Sequence, residues 1–286
     1  MRTVLITGIN GFLCSHLAKE LSKDYKIVGL ANSIKNLYRL KDYSFKVYSS
    51  SDEICTIFKE NKIFAIIHAA TVYSRSTDSI QNLFLTNILL PVKLYELANR
   101  FKVALFLNTD SFFNNAKYNY SFLPEYTLSK KHALEWLKFL KGGCKLINLK
   151  IFHMYGPDDS SDKFIPQITE ELKNNLPHID ITLGEQTRDF IYISDVVEAY
   201  KMVLQKSSLM ETFEEFEVGT GKETSIREII LKIKELTQSV TKLNFGALEY
   251  RSNEIMKSKA NIKALCNLGW APQITIEKGF KSMRVI

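Results

Sequence analysis

A tyrosine and a lysine four residues apart, in Tyr126-Thr127-Leu128-Ser129-Lys130, form the clearest chemical pair in this sequence. On a helix that spacing puts both side chains on one face. A phenol titrates near pH ~10 and is a weak acid–base group at neutral pH, but a neighbouring ammonium favours the phenolate. Y-x-x-x-K alone also describes an ordinary helix face, so its surroundings decide its meaning. Upstream, Leu105-Phe106-Leu107-Asn108-Thr109-Asp110-Ser111-Phe112-Phe113 reads as an apolar strand ending in a hydroxyl and a carboxylate. The carboxyl end of a strand is the ligand edge of an open α/β sheet. Thr109 is placed to donate a hydrogen bond to a substrate carbonyl oxygen while Tyr126 delivers the proton. The alternative for Thr109 is a strand-end residue bonded to its own backbone.

A second constellation opens the chain. Val4-Leu5-Ile6-Thr7-Gly8-Ile9-Asn10-Gly11-Phe12-Leu13 reads as a buried strand, a tight glycine turn and the start of a helix. Gly8 is free to take positive φ, and Gly11 lets the backbone approach a pyrophosphate at the helix N-terminus. Gly8, Asn10, Gly11, Phe12 and Leu13 are therefore candidate contacts for a dinucleotide, whose oxidised nicotinamide would further favour a phenolate at Tyr126. Cys14 replaces the third glycine of the usual spacing; being small and commonly buried, it should preserve close helix–strand packing. The second apolar run ends Val28-Gly29-Leu30-Ala31-Asn32-Ser33, with no carboxylate for a ribose 2′-hydroxyl. Asn32 and Ser33 leave room for a phosphate, and Lys35 and Arg39 follow within reach. NADP(H) is favoured, with NAD(H) the alternative in which Lys35 and Arg39 only solvate a loop.

Short β-branched runs (Val4 to Thr7, Ile27 to Leu30, Ala65 to His68, Ala104 to Asn108, Lys145 to Ile151) alternate with amphipathic segments (Phe12 to Lys23, Thr86 to Phe101, Tyr126 to Lys141). Such alternation predicts an α/β fold with a doubly wound parallel sheet of Rossmann type. The regularity weakens after Tyr155-Gly156-Pro157, where Pro, Asn and Asp punctuate the chain. The expected division is a dinucleotide-binding domain over 1–155 and a smaller substrate lobe over 156–286, with about 186–206 returning to the first domain.

The chain has 286 residues, 45% hydrophobic and 24% charged, enough to bury a large core. It shows no signal-like opening and no apolar run of membrane-spanning length, so a cytoplasmic protein is expected. The four cysteines and five histidines are dispersed, suggesting neither disulfides nor a metal site. The net charge of +7 is spread along the chain rather than gathered in a stripe. It suits polyanionic small molecules better than nucleic acid.

These motifs resemble, in order, those of the extended short-chain dehydrogenase/reductases, the NAD-dependent epimerase/dehydratase family. The glycine loop resembles its fingerprint, and His68-Ala69-Ala70 its turn beside the cofactor. Asn87 stands at its helix asparagine, Thr109 at its catalytic Ser or Thr, and Tyr126 with Lys130 at its catalytic pair. Tyr155-Gly156-Pro157 and Arg188-Asp189-Phe190-Ile191-Tyr192-Ile193-Ser194-Asp195-Val196 match two later signatures. The resemblance implies a nucleotide-diphosphate sugar as substrate. Arg188 and Arg251 would meet its diphosphate, Glu254 a ribose, and Asp110 and Ser111 the sugar side. It also implies a homodimer formed through the helices around 86–101 and 126–141.

Departures narrow the reaction. Lys150 and His153 stand where many members have arginine and asparagine, so His153 is a candidate sugar contact, a packed histidine being the alternative. The 4,6-dehydratases carry Thr-Asp-Glu where this chain has Thr109-Asp110-Ser111, and serine alone cannot remove a carbon-bound proton. The pattern is similar to the nucleotide-sugar 4-ketoreductases of the CDP-abequose and CDP-paratose synthase type. It implies NADPH-dependent reduction of a CDP- or dTDP-linked 4-keto deoxysugar for deoxyhexose and surface polysaccharide (lipopolysaccharide) synthesis. An epimerase or dehydratase with retained NAD is the enzymatic alternative, and a noncatalytic dinucleotide-binding regulator the alternative of another class.

Overall fold

The computed structural model describes residues 1–73, 79–115, 117, 123–140 and 142–283. β1 (Thr3–Thr7) feeds a glycine turn and α1 (Phe12–Leu21), followed by β2 (Lys26–Ala31), β3 (Lys46–Ser49), α2 (Ile54–Glu60) and β4 (Ile63–His68). A continuous helical stretch follows: α3 (Ile80–Leu83), a π-helical segment (Phe84–Leu89) and α4 (Leu90–Arg100). β5 (Leu105–Ser111), α5 (Pro124–Phe139) and β6 (Lys145–Ile151) complete the first half. The amphipathic segments anticipated from Phe12, Thr86 and Tyr126 are helices. The second begins earlier, at Ile80, where Ser79 caps it by accepting from Asn82 N–H at 3.1 Å. Lys141, the last residue expected of the third, lies outside the described residues.

β7 (His153–Tyr155), α6 (Phe164–Lys173), β8 (His178–Ile181), β9 (Thr187–Arg188), β10 (Phe190–Tyr192) and α7 (Ile193–Gln205) come next. β11 (Phe213–Val218), β12 (Thr224–Ser225), α8 (Ile226–Thr237), β13 (Lys242–Phe245), α9 (Lys263–Asn267) and α10 (Ile276–Ser282) close the chain. Seven strands form the main sheet in the order β11-β6-β5-β4-β1-β2-β3, and the pairings among β1 to β6 are parallel. β1 lies between β2 and β4, the point where the winding reverses and the sheet opens a crevice at its carboxyl edge. Leu5, Ile66, Phe106 and Leu146 on one face pack against Leu94 and Ala98 of α4 and Leu137 of α5. Burial on both faces explains why β1 and β4 read as unbroken apolar runs.

Among the described residues the chain forms two units. One spans 1–151 and 197–217 apart from Lys117; the other spans 152–196 and 218–283 with Lys117. The second unit has three small two-stranded pairings, β10-β7, β12-β9 and β13-β8. Its α8 starts in a capping box in which Ser225 and Glu228 satisfy each other's backbone N–H groups. No described helix is long and apolar enough to cross a membrane.

Candidate active site

Gly8 has φ +67°, and a Cβ built there would meet the Ala70 Cα at 2.9 Å. Only glycine fits, because the turn after β4 presses against the turn after β1. Thr7 ties the two together: its hydroxyl accepts from the Ala69 and Ala70 N–H groups at 3.2 and 3.1 Å and pairs with His68 Nδ1 at 3.0 Å. A Thr7 hydroxyl that already accepts from two N–H groups is left to donate its hydrogen bond to Nδ1, which matches a neutral His68 carrying its proton on Nε2. Burial also holds the imidazole well below its usual range. His68, Ala69 and Ala70 thus brace the glycine turn. Gly11 opens α1, and Leu13 is buried beneath. Cys14 sits against β1, its thiol donating to the Thr7 carbonyl at 3.3 Å.

Asn10 joins this turn to the loop after β2. Its side-chain oxygen accepts from Arg39 N–H at 3.2 Å, its main-chain oxygen accepts from the Arg39 guanidinium at 3.1 Å, and its amide donates to the Asn36 carbonyl at 3.2 Å. Asn32, Ser33 and Lys35 are exposed beside it, and Ala31 is buried at the end of β2. A turn whose cradle would be filled by any Cβ, a helix N-terminus and a basic loop fit the diphosphate and ribose end of a dinucleotide.

The second cluster surrounds α5. Tyr126 and Lys130 are both buried on it, with Ser129 between them. Lys130 Nζ donates to the Thr109 carbonyl at 2.9 Å, and burial pulls its ammonium down to about 8 while the Asp110 charge holds it up. Burial drives the Tyr126 phenol well above its ordinary value, and Tyr73 and Asp110 add to this; the Ser111 side chain acts the other way. Tyr73 stacks on the Tyr126 ring with centroids 4.8 Å apart. Asn87 in the π-helical segment holds both parts: it donates to Ser129 Oγ at 2.9 Å and exchanges bonds with Val72 N–H and C=O, each at 2.8 Å. A π-helical turn offers a side-chain direction that a regular helix lacks, and such turns cluster at functional sites. Thr109 Oγ1 lies 2.7 Å from Tyr200 OH of α7.

Asp110 points elsewhere. Its two oxygens accept from Ser111 N–H at 2.7 Å, Asn114 at 2.8 Å and Asn148 at 3.0 Å, in a buried network that continues to Glu215 and Lys150. Burial raises this carboxyl despite its donors. Tyr200 and Asn148 carry no sequence signal, because they reach the cluster from α7 and β6. Tyr73 alone has a hint, lying three residues beyond Ala70.

The remaining candidates lie in the second unit. Arg188 is paired with Glu254 and also donates to the Thr187 carbonyl at 2.8 Å and to the Ile255 carbonyl. Glu254, expected at a ribose, is thus engaged by Arg188. Arg251 is exposed, and a cavity of about 480 Å³ is lined by Lys117 and residues 252–257. The neighbouring Asp189 is fully buried and accepts from Thr220 N–H and Oγ1, Gly221 N–H and Ala260 N–H at 2.7–3.0 Å. His153 packs on Phe190 at 5.7 Å, and burial, reinforced by Arg188 and Lys163, pulls it down to about 3. The ring is therefore neutral and half-buried. Among the described residues no group of three His, Cys, Asp or Glu side chains could hold a metal ion.

The profile of the NAD dependent epimerase/dehydratase family matches residues 4–219. The chain is 37% identical to a CDP-abequose synthase of Salmonella muenchen over 99% of its own length and 97% of that protein's. It is 33% identical to the CDP-abequose synthase of Salmonella typhimurium, covering 98% and 96%. Among solved structures, it is similar to a UDP-glucose 4-epimerase of Thermotoga maritima with UDP-glucose, at a TM-score of 0.85, 22% identity and coverage of 99% and 97%, a likeness of fold.

Proposed function

Because the chain belongs to the NAD-dependent epimerase/dehydratase family, we propose that it reduces the 4-keto group of a CDP- or dTDP-linked deoxysugar with NADPH, in deoxysugar and surface polysaccharide synthesis. The observation that carries this reading is the Thr109-Asp110-Ser111 segment beside Tyr126. Elimination needs a base to remove a proton from carbon, and here Asp110 has both oxygens committed to the sheet while Ser111 offers only a hydroxyl. Likeness to two CDP-abequose synthases over nearly the whole chain supports the same reading.

The reduced nicotinamide, when bound, supplies the hydride. Tyr126 donates its phenolic proton to the carbonyl oxygen. Lys130, one turn along the same buried face, holds the cofactor ribose and offsets the charge left on the phenolate. Thr109 Oγ1 lies 2.7 Å from Tyr200 OH, and with the phenol as donor in that pair the Thr109 proton turns to the carbonyl oxygen. Gly8, Asn10, Gly11, Phe12 and Leu13 hold the pyrophosphate, His68, Ala69, Ala70 and Asn87 flank the cofactor, and Asn32, Ser33, Lys35 and Arg39 take a 2′-phosphate. The second unit serves as the substrate lobe, with Arg188 and Arg251 toward the diphosphate.

A homodimer is supported by exposed apolar side chains on adjacent helical segments: Phe84, Leu85 and Leu89, with Leu128, Trp136 and Phe139 of α5. The four unpaired cysteines suit a reducing cytoplasm.

The test follows loss of the reduced nicotinamide absorbance when protein and NADPH meet CDP- or dTDP-linked 4-keto-6-deoxy and 3,6-dideoxy sugars. Stoichiometric loss with one nucleotide is expected. Isomerisation or elimination seen by NMR without NADPH loss would overturn the reductase reading in favour of an epimerase or dehydratase.

A further inference from the structure

Tyr200 places a polar group on a stretch of α7 that is otherwise apolar and closed to solvent. The residue is fully buried, and its helix neighbours Ala199, Val203 and Leu204 are buried as completely. Lys201, the next residue, bonds Glu20 at 3.3 Å and so fastens this part of α7 to α1. Among the described residues the Tyr200 phenol has one hydrogen-bond partner, Thr109 Oγ1 at 2.7 Å, and both residues belong to the first unit. A phenylalanine would fill the same space without burying a hydroxyl, which carries a desolvation cost. The hydroxyl, rather than the ring, is what needs explaining.

Which hydroxyl donates in the pair follows from what each can reach. An O–H enclosed in apolar surroundings must donate or bear the cost of being left unpaired. For Tyr200 the acceptor within reach is Thr109 Oγ1. Burial also holds the phenol well above its ordinary value, so the proton stays on its oxygen. Thr109 is half-buried, and among the described residues its hydroxyl makes no second hydrogen bond, so its own proton is free to point out of the pair. The residue is held at its other end as well, where its carbonyl accepts from Lys130 Nζ at 2.9 Å. A β-branched side chain is stiff at χ1. Strand β5 therefore sets the position of Oγ1, and rotation of the O–H is the freedom that remains; accepting from Tyr200 removes it.

We infer that Tyr200 is a positioning residue of the proposed reduction: its buried phenol donates to Thr109 Oγ1 and so aims the Thr109 proton at the carbonyl oxygen of the substrate. The inference rests on the reading of Thr109 as the residue that polarises that carbonyl. Tyr200 acts only through Thr109. A donor oriented before the substrate arrives needs no reorganisation when charge develops on the carbonyl oxygen, and that preorganisation is the source of its effect. Accepting from Tyr200 also polarises the Thr109 O–H, since hydrogen bonds in a chain strengthen one another at low dielectric.

Two double-mutant cycles on Tyr200→Phe and Thr109→Val test this, one in kcat with NADPH and the nucleotide-sugar that the unaltered protein reduces, the other in urea unfolding. Tyr200→Phe alone should lower kcat by about 5–10-fold and leave KM and NADPH affinity unchanged. Added to Thr109→Val, whose own loss is larger, it should lower kcat no further. In urea, Thr109→Val should lower the midpoint because it strands the buried phenol, and adding Tyr200→Phe should restore most of the loss. A kcat that holds or rises in Tyr200→Phe, as it would if Thr109 donated to the phenol, overturns the inference. So does an equal fall in both backgrounds. If the unaltered protein reduces no nucleotide-sugar, the functional reading fails, while the urea cycle still decides the pairing: additive midpoints would show that the two hydroxyls do not depend on each other and would overturn the inference too.

Discussion

The Lys130 ammonium donates to the main-chain carbonyl of Thr109 at 2.9 Å, tying the helix that carries Tyr126 to the strand that carries Thr109 and Ser111. This bond leaves a buried cation one helical turn from a buried phenol. It needs no side-chain partner on β5, so Thr109 keeps its hydroxyl for Tyr200.

A buried ammonium is costly. With its value pulled down to about 8, Lys130 binds its proton less readily in the folded than in the unfolded chain. Its unfavourable contribution is present in full below pH ~8 and is relieved as pH rises from there toward the unfolded lysine's ~10.4. Lys130→Met removes this cost, roughly 3 kcal/mol, and forfeits about 1 kcal/mol for the bond to Thr109. The desolvation term wins. Thermal unfolding of the cofactor-free variant at pH 7 should therefore occur at a higher Tm, while reductase activity falls by about 10²-fold or more. Tyr126→Phe should abolish turnover and leave NADPH binding nearly intact. A less stable Lys130→Met would contradict the balance, and substantial activity in Tyr126→Phe would contradict the proton donor.

Cofactor choice turns on the loop after β2. Arg39→Ala should weaken NADPH binding by about 10-fold or more and leave NADH nearly unchanged, since a charge-assisted contact to phosphate is worth about 1.5–3 kcal/mol. Asn10→Ala should act in the same direction by less, because the main-chain acceptor for the guanidinium survives. Ala31→Asp should shift preference toward NADH. Fluorescence titration of both cofactors checks all three, and a parallel loss of both in Arg39→Ala would show a role in the loop rather than at the phosphate.

Asp189 is structural despite its place beside Arg188. Asp189→Asn puts an NH₂ group where four donors already converge. It should destabilise the protein by about 3 kcal/mol, the scale of a buried charged acceptor lost. Urea unfolding measures it; a loss below ~1 kcal/mol would mean the loops at 219–221 and 260 re-form without the carboxylate.

The exposed apolar helix face predicts an assembly. Leu89→Glu together with Trp136→Glu should convert a dimer to monomer in analytical ultracentrifugation, because burying two unpaired carboxylates outweighs the apolar contact. Both side chains are about half exposed in one chain, so the folded monomer should tolerate the change. An unchanged sedimentation coefficient would place the dimer contact elsewhere.

Much of this protein was determined along the chain itself. Apolar runs of strand length alternate with helical periodicity, and that alone dictates the doubly wound sheet. A glycine where the first turn must take positive φ, and a tyrosine and lysine one helical turn apart, are local facts of backbone and period, so the sequence displays them. The partners of those residues are not local. Alternation along β5 separates Asp110 from Thr109 and Ser111 but does not say which face meets solvent, core or another polar side chain. Only tertiary structure turned Asp110 toward Asn148, set Tyr200, 91 positions away, against Thr109, and closed Glu254 onto Arg188. Hydrogen bonds of a few ångströms between distant segments depend on how strands order themselves and helices settle over them, and that order arises only when the whole core packs.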